Sequence, residues 1–235
     1  MDKYNPYKFK IVLFAKDEGR NMFFTINQLL QRYEAEKIIA VLDGNIESTA
    51  SILAEKNVKF IRGPNRGKGA ALRTAIAGIE TDIFVFMDAD GSHRPDEIEE
   101  LLKPLMNNEA EMVIASRFLG GSEELCGSIE NLIRRLGNVL GNYLINFIWN
   151  RNKKIISDCH NGFRAIKREA ALNLNLKENG FSIEHEMVIK CLKKGYGIIE
   201  VPSVELKRKY GKSHISKLLF CCYYIVCIIK NSFKE

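Results

Sequence analysis

Short apolar runs rich in β-branched residues recur along the first half of this sequence, and segments with helical periodicity separate them. The apolar runs lie at residues 11–14, 38–42, 58–61, 83–87 and 112–115. The helical segments lie at residues 21–33, 47–56, 68–78 and 95–106. Strands that alternate with helices predict a mostly parallel sheet, because parallel neighbours need a crossover connection that a helix usually supplies. We therefore expect an α/β fold with helices on both faces of the sheet.

The pattern changes after Ser116. A polar, glycine-rich stretch containing Gly120 and Gly121 precedes a long amphipathic helix at about residues 131–149. A strand, a helix and a further strand follow at residues 163–166, 183–194 and 198–201. Because neither an internal repeat nor a low-complexity linker divides the chain, we expect one domain over residues 1–217.

Residues 218–229 form a continuous apolar stretch with lysines on both sides of it. As a helix, its twelve residues would extend about 18 Å, which is short of the roughly 30 Å hydrocarbon core of a bilayer. Three environments stay open for it: the protein core, an interface with a second copy, and the surface of a membrane. The flanking lysines favour the membrane surface. We expect residues 218–235 to form an amphipathic interfacial helix.

Composition limits the function classes. The formal net charge is +6, and the basic residues are spread over the first two hundred positions. This distribution does not predict nucleic-acid binding. The six cysteines form no C-x-x-C pair, and the first ten residues lack the apolar stretch of a signal peptide. These features predict a cytoplasmic protein with reduced thiols.

Two carboxylates follow the most apolar of the predicted strands. Asp88 and Asp90 end the run Phe84-Val85-Phe86-Met87 and are two positions apart. Residues i and i+2 of an extended segment point the same way, and open α/β sheets bind ligands beyond the carboxyl ends of their strands. Such a pair suits Mg²⁺ or Mn²⁺ with a diphosphate supplying further oxygens. A solvated turn is the alternative interpretation.

A glycine-rich turn lies between another predicted strand and a helix. It reads Arg62-Gly63-Pro64-Asn65-Arg66-Gly67-Lys68-Gly69. Backbone amides at the start of that helix, with Lys68 beside them, are suited to a phosphate. The spacing and the residue after Lys68 do not match a nucleotide-hydrolase phosphate loop. A tight turn with close helix packing is the alternative.

Seven short motifs follow one another along the chain: Ala15-Lys16-Asp17-Glu18-Gly19-Arg20-Asn21, Leu42-Asp43-Gly44-Asn45, Asn65-Arg66-Gly67-Lys68-Gly69, Met87-Asp88-Ala89-Asp90, Ser116-Arg117-Phe118, Asn161-Gly162-Phe163-Arg164 and Tyr210-Gly211-Lys212-Ser213. In this order they resemble the motifs of family two glycosyltransferases. Within that family the chain is similar to the dolichyl-phosphate (polyprenyl-phosphate) mannose, glucose and N-acetylglucosamine synthases. The resemblance covers about residues 8–217.

The resemblance implies a GT-A (Rossmann-like) fold, a Mg²⁺ or Mn²⁺ ion and an inverting transfer from a nucleoside-diphosphate sugar to a dolichyl or polyprenyl phosphate. It implies a nucleotide-sugar-binding half at about residues 8–115 and an acceptor half at 116–217. The short apolar stretch at residues 218–229, together with a lipid acceptor, predicts a peripheral position on the cytosolic face of a membrane, and a homo-oligomer is an open possibility. The sequence does not identify the length of the lipid.

The motifs carry specific residue expectations. Asp88 and Asp90 match the metal-binding pair, and the expected nucleotide-sugar contacts are Asp17, Glu18, Asp43, Lys68 and Asp88. The residues expected at the acceptor phosphate are Arg117, Arg134, Asn138, Arg164 and Lys212. The expected catalytic residues are Asp90, Arg117, Arg134 and Glu186. If the acceptor is a hydroxyl rather than an ionised phosphate, Glu186 or Glu184 is the candidate base.

Two motifs depart from the usual pattern. Leu42-Asp43-Gly44-Asn45 replaces Asp-Asp-Gly-Ser, and Phe14-Ala15-Lys16-Asp17-Glu18 replaces Pro-Thr-Tyr-Asn-Glu. Both lie where the nucleotide base is expected, so the base is undetermined. The segment Ile183-Glu184-His185-Glu186-Met187 resembles the glucose and N-acetylglucosamine subgroup, which favours a UDP-linked donor over GDP-mannose.

Other functions stay open. A soluble family-two transferase acting on a small phosphorylated or sugar acceptor is the first alternative, and a sugar-nucleotide-binding protein without turnover is a distant one. A nicotinamide-dependent oxidoreductase is disfavoured because Asp17-Glu18-Gly19 follows the first strand in place of Gly-x-Gly-x-x-Gly.

Overall fold

The computed structural model describes residues 7–16, 19–123, 129–150, 154–208, 227–228 and 230, with residues 129–135 described by their backbone alone. The strands are β1 Phe9–Lys16, β2 Ile38–Asp43, β3 Lys59–Arg62, β4 Ile83–Asp88, β5 Met112–Ser116, β6 Gly121–Ser122, β7 Arg164–Lys167 and β8 Ile198–Glu205. The helices are α1 Gly19–Leu30, α2 Glu47–Glu55, α3 Lys68–Gly78, α4 Ile98–Met106, α5 Arg117–Gly120, α6 Ile129–Trp149, α7 Arg168–Asn173 and α8 Ile183–Lys193. Short 3-10 turns lie at Ala35–Lys37 and Pro95–Glu97.

The strands form one mixed sheet in the order β3-β2-β1-β4-β7-β5-β8-β6. Strand β1 is parallel to both of its neighbours, β2 and β4, and β2 is parallel to β3. Strand β8 is likewise parallel to its neighbours β5 and β6. Among the strands of the described residues, only β7 runs antiparallel to its neighbours, which are β4 and β5. The expected α/β, mostly parallel sheet is therefore confirmed, with one reversal in its centre.

The reversal of β7 matters for the position of the site. In the β4–β7 register Phe86 lies opposite Arg164, so β7 begins where β4 ends. The segment that precedes β7, which includes Gly162, consequently lies beside Asp88 at the end of β4. A parallel strand would have put this segment at the far edge of the sheet.

Both faces of the sheet are buried, as the apolar runs require. On one face Ile11 and Leu13 pack in a cluster with residues of α1 and α4. On the other face Val12 and Phe14 pack in a cluster with residues of α3, α7 and α8. Consecutive residues of β1 thus point to opposite faces of the sheet and pack against different helices, which fixes the register of the strand.

The C-terminal stretch is described only at its end. Cys227 and Ile228 are helical and 1% and 7% exposed, and the Cys227 thiol lies 3.7 Å from the carbonyl oxygen of Ser182. These two residues pack against the body of the protein. Residues 209–226 lie outside the described part, so the interfacial helix stays a prediction for them. No helix in the described part is long and apolar enough to cross a bilayer.

Candidate active site

A cavity of about 490 Å³ lies at the carboxyl ends of β1, β2 and β4. It is the position where an α/β sheet of this kind binds ligands. Its walls combine apolar and charged residues, which are Phe14, Ala15, Lys16, Val41, Asp43, Gly67, Lys68, Ala71, Asp88, Ala89, Asp90, Phe181 and Arg208. The structure therefore brings together four residues expected from the sequence: Asp43, Lys68, Asp88 and Asp90.

Lys68, the first residue of α3, connects two carboxylates at this cavity. Its Nζ lies 2.7 Å from Asp88 Oδ1 and 2.9 Å from Glu184 Oε1. Burial alone would lower the pKa of Lys68, but Asp88 and Glu184 outweigh it and raise that pKa. Burial would raise the pKa of Asp88, and Lys68 together with His93 instead holds it well below its usual range. Both partners are therefore charged at neutral pH.

Gly162 makes room for this ion pair. A Cβ at this position would lie 2.4 Å from Lys68 Nζ, 3.1 Å from Asp88 Oδ2 and 3.5 Å from Glu184 Oε1. Any other residue would push the charged groups apart, since contacts under about 3 Å are repulsive. The glycine of the Asn161-Gly162-Phe163-Arg164 motif is thus explained by the space that the lysine needs.

Asp90 has a different set of partners. Its Oδ1 accepts hydrogen bonds from the backbone N–H of Ser92 at 3.0 Å and from the Ser92 hydroxyl at 2.6 Å. Its Oδ2 lies 3.0 Å from the Arg208 guanidinium. The carboxylate is therefore held in one orientation, with one oxygen turned to a cation on the cavity wall.

Arg208 was not expected from the sequence. It follows the end of β8, and the neighbouring Leu206 N–H donates to the Ser92 carbonyl at 2.9 Å, which fixes this segment beside β4. The basic run Lys207-Arg208-Lys209 is the only signal that could have indicated it, and a basic run is more often a solvated surface.

His93 borders the cavity from the inside of the protein. Its ring stacks on Phe163 with centroids 5.0 Å apart, and its Nε2 lies 3.8 Å from Asp88 Oδ2. That separation is too long for a direct hydrogen bond. The ring is 3% exposed, so it supports Asp88 from behind and does not face the cavity.

Asp43 ties the loops after β2 and β3 together. Its Oδ1 accepts a hydrogen bond from the Asn65 backbone N–H at 2.9 Å, and the Asn65 side chain accepts one from the Gly44 N–H at 2.6 Å. Asn65 adopts a positive φ of 55°, which asparagine tolerates better than most residues. The two motifs thus form one wall of the cavity.

The carboxylate oxygens of Asp88 and Asp90 are suitable ligands for a hard divalent cation. Asp88 and Asp90 both present carboxylate oxygens to one cavity, and the structure already places a cationic side chain against each of them. Within the described residues, no group of three or more His, Cys, Asp or Glu side chains is arranged to hold a metal. Two protein carboxylates plus ligand phosphates and water is the arrangement that Mg²⁺ commonly takes.

Arg117 lies in a separate, buried cluster. Its guanidinium donates to Asp158 Oδ2 at 2.7 Å and Oδ1 at 2.9 Å, and to Glu205 Oε1 at 3.1 Å. The side chains of Arg117, Asp158 and Glu205 are 6%, 0% and 9% exposed. Burial would lower the pKa of Arg117, and the two carboxylates outweigh it and raise that pKa. The structure does not bring Arg117 into the cavity lining.

Arg164 is also turned inward. Its guanidinium donates to the carbonyl oxygens of Asn161, Cys159 and Glu184, with distances of 2.9, 3.1 and 3.0 Å for three of these bonds. The side chain is 1% exposed, and burial lowers its pKa. Arg164 therefore holds the segment before β7 and the start of α8 in place.

The two glutamates of α8 have different partners. Glu184 reaches Lys68, whereas Glu186 accepts hydrogen bonds from the backbone N–H groups of Lys177 and Glu178 and lines a second cavity. The structure therefore brings Glu184, and not Glu186, to Asp88. Residues two positions apart on a helix differ by about 200°, which is the physical reason for the separation.

Of the remaining expected site residues, the structure describes the side chain of Asn138 alone. Asn138 is 2% exposed on α6, and its Oδ1 has no hydrogen-bond partner among the described residues. Arg134 belongs to the part of α6 described by its backbone alone, and Asp17, Glu18 and Lys212 lie outside the described residues. Their roles stay predictions.

The chain also matches known proteins in sequence. The family model described as glycosyl transferase family 2 matches residues 11–174. The chain is 26% identical to the UDP-N-acetylglucosamine–dolichyl-phosphate N-acetylglucosaminyltransferase of Methanococcus voltae, over 94% of this chain and 95% of that protein. It is 29% identical to the dolichol-phosphate mannosyltransferase of Pyrococcus furiosus, over 88% of this chain and 59% of that protein.

The fold also matches a solved structure. Glucosyl-3-phosphoglycerate synthase from Mycobacterium tuberculosis, in complex with Mn²⁺, uridine diphosphate and phosphoglyceric acid, superposes with a TM-score of 0.75 at 17% identity. The match covers 98% of this chain and 80% of that one. At this identity the likeness establishes the fold, and it confirms the expected GT-A architecture.

Proposed function

Because the chain belongs to glycosyl transferase family 2, we propose that it moves one sugar, with inversion, from a nucleoside-diphosphate sugar to a dolichyl or polyprenyl phosphate at a membrane surface. The observation that carries this proposal is the cavity in which Asp88 and Asp90 each face a cationic side chain. A UDP-linked donor is favoured over GDP-mannose by the Ile183-Glu184-His185-Glu186-Met187 segment.

At the donor, Asp88 and Asp90 would hold Mg²⁺ or Mn²⁺, which neutralises charge on a departing nucleoside diphosphate. Lys68 and Arg208 are the cations of this chain that would meet the phosphates. Both now pair with the carboxylates at 2.7 and 3.0 Å, so a diphosphate would take over partners that the protein has already positioned. Asp43, on the wall formed by the β2 and β3 loops, would contact the nucleoside part.

At the acceptor, a phosphate monoester has a second pKa near 6 and is mostly ionised at neutral pH. An ionised phosphate oxygen attacks the anomeric carbon without a general base, so the protein contributes position and charge. If the acceptor were a hydroxyl, Glu184 would be the candidate base by position. Of the two glutamates of α8 it is the one held near Asp88, through the Lys68 ammonium that lies 2.9 Å from its Oε1.

The residues that grip the acceptor phosphate are proposed to be Arg134, Asn138 and Lys212. Arg117 and Arg164 are assigned a positioning role instead. The two residues are 7% and 1% exposed, and their guanidinium groups already donate hydrogen bonds to acceptors inside the protein. A buried guanidinium would have to give up a carboxylate or a carbonyl before it could bind a lipid phosphate.

The outer face of α6 supports a membrane location. Leu136, Leu140, Tyr143 and Phe147 are 59–65% exposed along one side of the helix. The opposite side is buried against the protein and carries Asn138, Asn142 and Ile145, and the Asn142 side chain accepts a hydrogen bond from the backbone N–H of Cys159 at 3.1 Å. The helix is therefore anchored by one side and leaves a row of large apolar side chains exposed on the other, which suits contact with lipid or with a second copy.

A vesicle experiment tests this location. Leu140→Glu with Phe147→Glu should abolish sedimentation with anionic vesicles, whereas Phe60→Glu with Leu172→Glu, at two exposed sites elsewhere, should not. If both double variants sediment like the wild type, the face does not contact lipid. If the α6 double variant instead turns a dimer into a monomer, the face is a contact between copies.

A donor panel tests the reaction. Radiolabelled UDP- and GDP-sugars are incubated with the full chain, polyprenyl phosphate and Mn²⁺, and the label is partitioned between organic solvent and water. Label in the organic phase with a UDP-sugar is the expected result. Label that stays in water on a small phosphorylated acceptor would establish the soluble transferase alternative, and no transfer with any donor would contradict both.

A further inference from the structure

Phe181 is an exposed aromatic residue on the wall of the cavity at Asp88. It lines that cavity and is 45% exposed, although Ile183, two positions later, is completely buried. Among the described residues that line the cavity, the other large apolar ones, Phe14 and Val41, are 8% and 1% exposed. Phe181 is therefore the large apolar group that a ligand in this cavity can reach, and the reaction proposed above gives it no role.

The segment that precedes Phe181 is fixed on the first turn of α3. The Asn179 carbonyl accepts a hydrogen bond from the Ala70 N–H at 3.2 Å, and the Asn179 side-chain oxygen accepts one from Arg73 at 2.6 Å. A Cβ at Gly67 would lie 2.8 Å from the Asn179 carbonyl oxygen, so glycine lets the two backbones approach closely. These contacts hold the segment in place without using the Phe181 ring.

The ring lies next to the cation that the donor phosphates are proposed to meet. Lys68 Nζ is 5.9 Å from the centroid of the Phe181 ring, which is near the outer limit of a cation–π contact. The same ammonium lies 2.7 Å from Asp88 and 2.9 Å from Glu184, so two carboxylates already balance its charge. A contact with Lys68 therefore does not explain why the ring stays exposed.

The position of the ring indicates which part of the donor it meets. Asp43, which is proposed to contact the nucleoside part, ends β2, and Asp88 ends β4, with β1 between these two strands. Phe181 and Glu184 both approach Lys68, whose ammonium lies against Asp88. The ring is thus placed at the proposed diphosphate position. The sugar is bonded directly to the diphosphate, whereas the base is separated from it by the ribose.

We infer that Phe181 is a sugar-recognition residue whose ring packs against an apolar face of the donor sugar. The inference rests on the proposed function, since it takes a nucleoside-diphosphate sugar as the ligand. Glucose and N-acetylglucosamine carry equatorial substituents around the ring, so axial C–H groups line both faces of the sugar. These C–H groups pack against the electron-rich face of an aromatic ring. A branched aliphatic side chain fills similar space but offers no flat face.

Calorimetry with the full chain and Mn²⁺ tests this role by comparing uridine diphosphate, UDP-glucose and UDP-N-acetylglucosamine. Phe181→Leu should weaken binding of the tighter UDP-sugar by about five- to tenfold and change uridine diphosphate binding by less than about twofold. Phe181→Tyr keeps the ring and should bind the UDP-sugar like the wild type. Phe23→Leu is the matched control and should change neither ligand. Phe23 is 47% exposed with the Lys56 ammonium 5.5 Å from its ring centroid, and it does not line this cavity.

The outcomes separate this inference from the proposed function. A loss in Phe181→Leu that is confined to the UDP-sugar, and is absent from Phe181→Tyr and Phe23→Leu, supports the inference. Equal losses for uridine diphosphate and the UDP-sugar overturn it, because the ring would then serve the nucleotide or the position of Lys68. Unchanged binding of all three ligands in Phe181→Leu also overturns it and leaves the proposed function intact. A wild type that binds none of the three ligands contradicts the proposed function, and the inference with it.

Discussion

Two ion pairs in this protein have the same length and opposite surroundings. Lys68 Nζ lies 2.7 Å from Asp88, and Arg117 Nε lies 2.7 Å from Asp158. The Asp88 side chain is 29% exposed at the wall of a cavity, whereas the Asp158 side chain is 0% exposed. The first pair can exchange a partner with a ligand that enters the cavity, and the second cannot without opening the protein.

The difference separates the proposed binding site from its scaffold. Both pairs belong to motifs that resemble the same family, and the sequence alone gives their basic residues similar phosphate-binding roles. In the Lys68–Asp88 pair the carboxylate is open to water, so the net contribution of this pair to folding is expected to be smaller than that of the Arg117 cluster. The buried cluster joins α5, the segment before β7 and the end of β8, so it should carry stability and position.

Arg117→Met should have the largest effect, and the effect should be on folding. The substitution leaves Asp158 and Glu205 buried without a countercharge, which costs about 3–5 kcal/mol in the free energy of unfolding. Urea denaturation measures it. Arg94→Met is the matched control, because Arg94 pairs with Asp96 at 2.7 Å with both side chains about 40% exposed (42% and 37%), and should cost less than about 1 kcal/mol. An Arg117→Met protein with normal stability and a raised KM for lipid phosphate would restore the phosphate-binding role.

Lys68→Met should show the reverse pattern. The lost cation is one that phosphates of the donor are proposed to meet, so kcat/KM should fall by about a hundredfold. Asp88 can be solvated from the cavity, whereas Glu184, with a side chain that is 5% exposed, loses its countercharge. The free energy of unfolding should therefore fall, but by less than in Arg117→Met, where both carboxylates are at most 9% exposed. Activity assays and urea denaturation on the same two variants give the comparison directly. Equal losses of stability would show that exposure does not distinguish the clusters.

Gly162→Ala should have a smaller effect, confined to activity. Its Cβ would lie 2.4 Å from the flexible end of Lys68, so the lysine can move and the fold should persist, with kcat/KM reduced by about tenfold. Gly180→Ala is the control, because a Cβ there meets nothing within 4 Å. Wild-type activity in Gly162→Ala would mean that the position of Lys68 between Asp88 and Glu184 is unimportant.

Much of the structure of residues 8–115 could be predicted from local sequence. Strand β2 was expected at 38–42 and observed at Ile38–Asp43, and α3 was expected and observed over the same residues. Buried parallel strands are continuous apolar runs, and their ends bring Asp43 and Asp88 to one edge by topology alone. These residues could therefore be predicted to lie close together without information on any tertiary contact.

The structure of residues 116–208 depends on contacts that the sequence does not display. Arg117 finds its partners 41 and 88 residues away, and no local pattern marks either of them. The choice between Glu184 and Glu186 depends on the rotation of α8, and Arg208 reaches Asp90 from the end of β8. The short elements β6 and α7 were not predicted, because a two-residue strand and a six-residue helix carry too little periodicity.

Calorimetry of uridine diphosphate binding, with and without Mn²⁺, tests most directly whether Asp88 and Asp90 form the metal-dependent donor site. The wild type should bind more tightly when Mn²⁺ is present, and Asp90→Asn should lose that gain while keeping the wild-type unfolding temperature. Arg94→Met should keep the gain. A wild type that binds uridine diphosphate equally well with and without Mn²⁺, or an Asp90→Asn variant that keeps the full gain, would contradict the account.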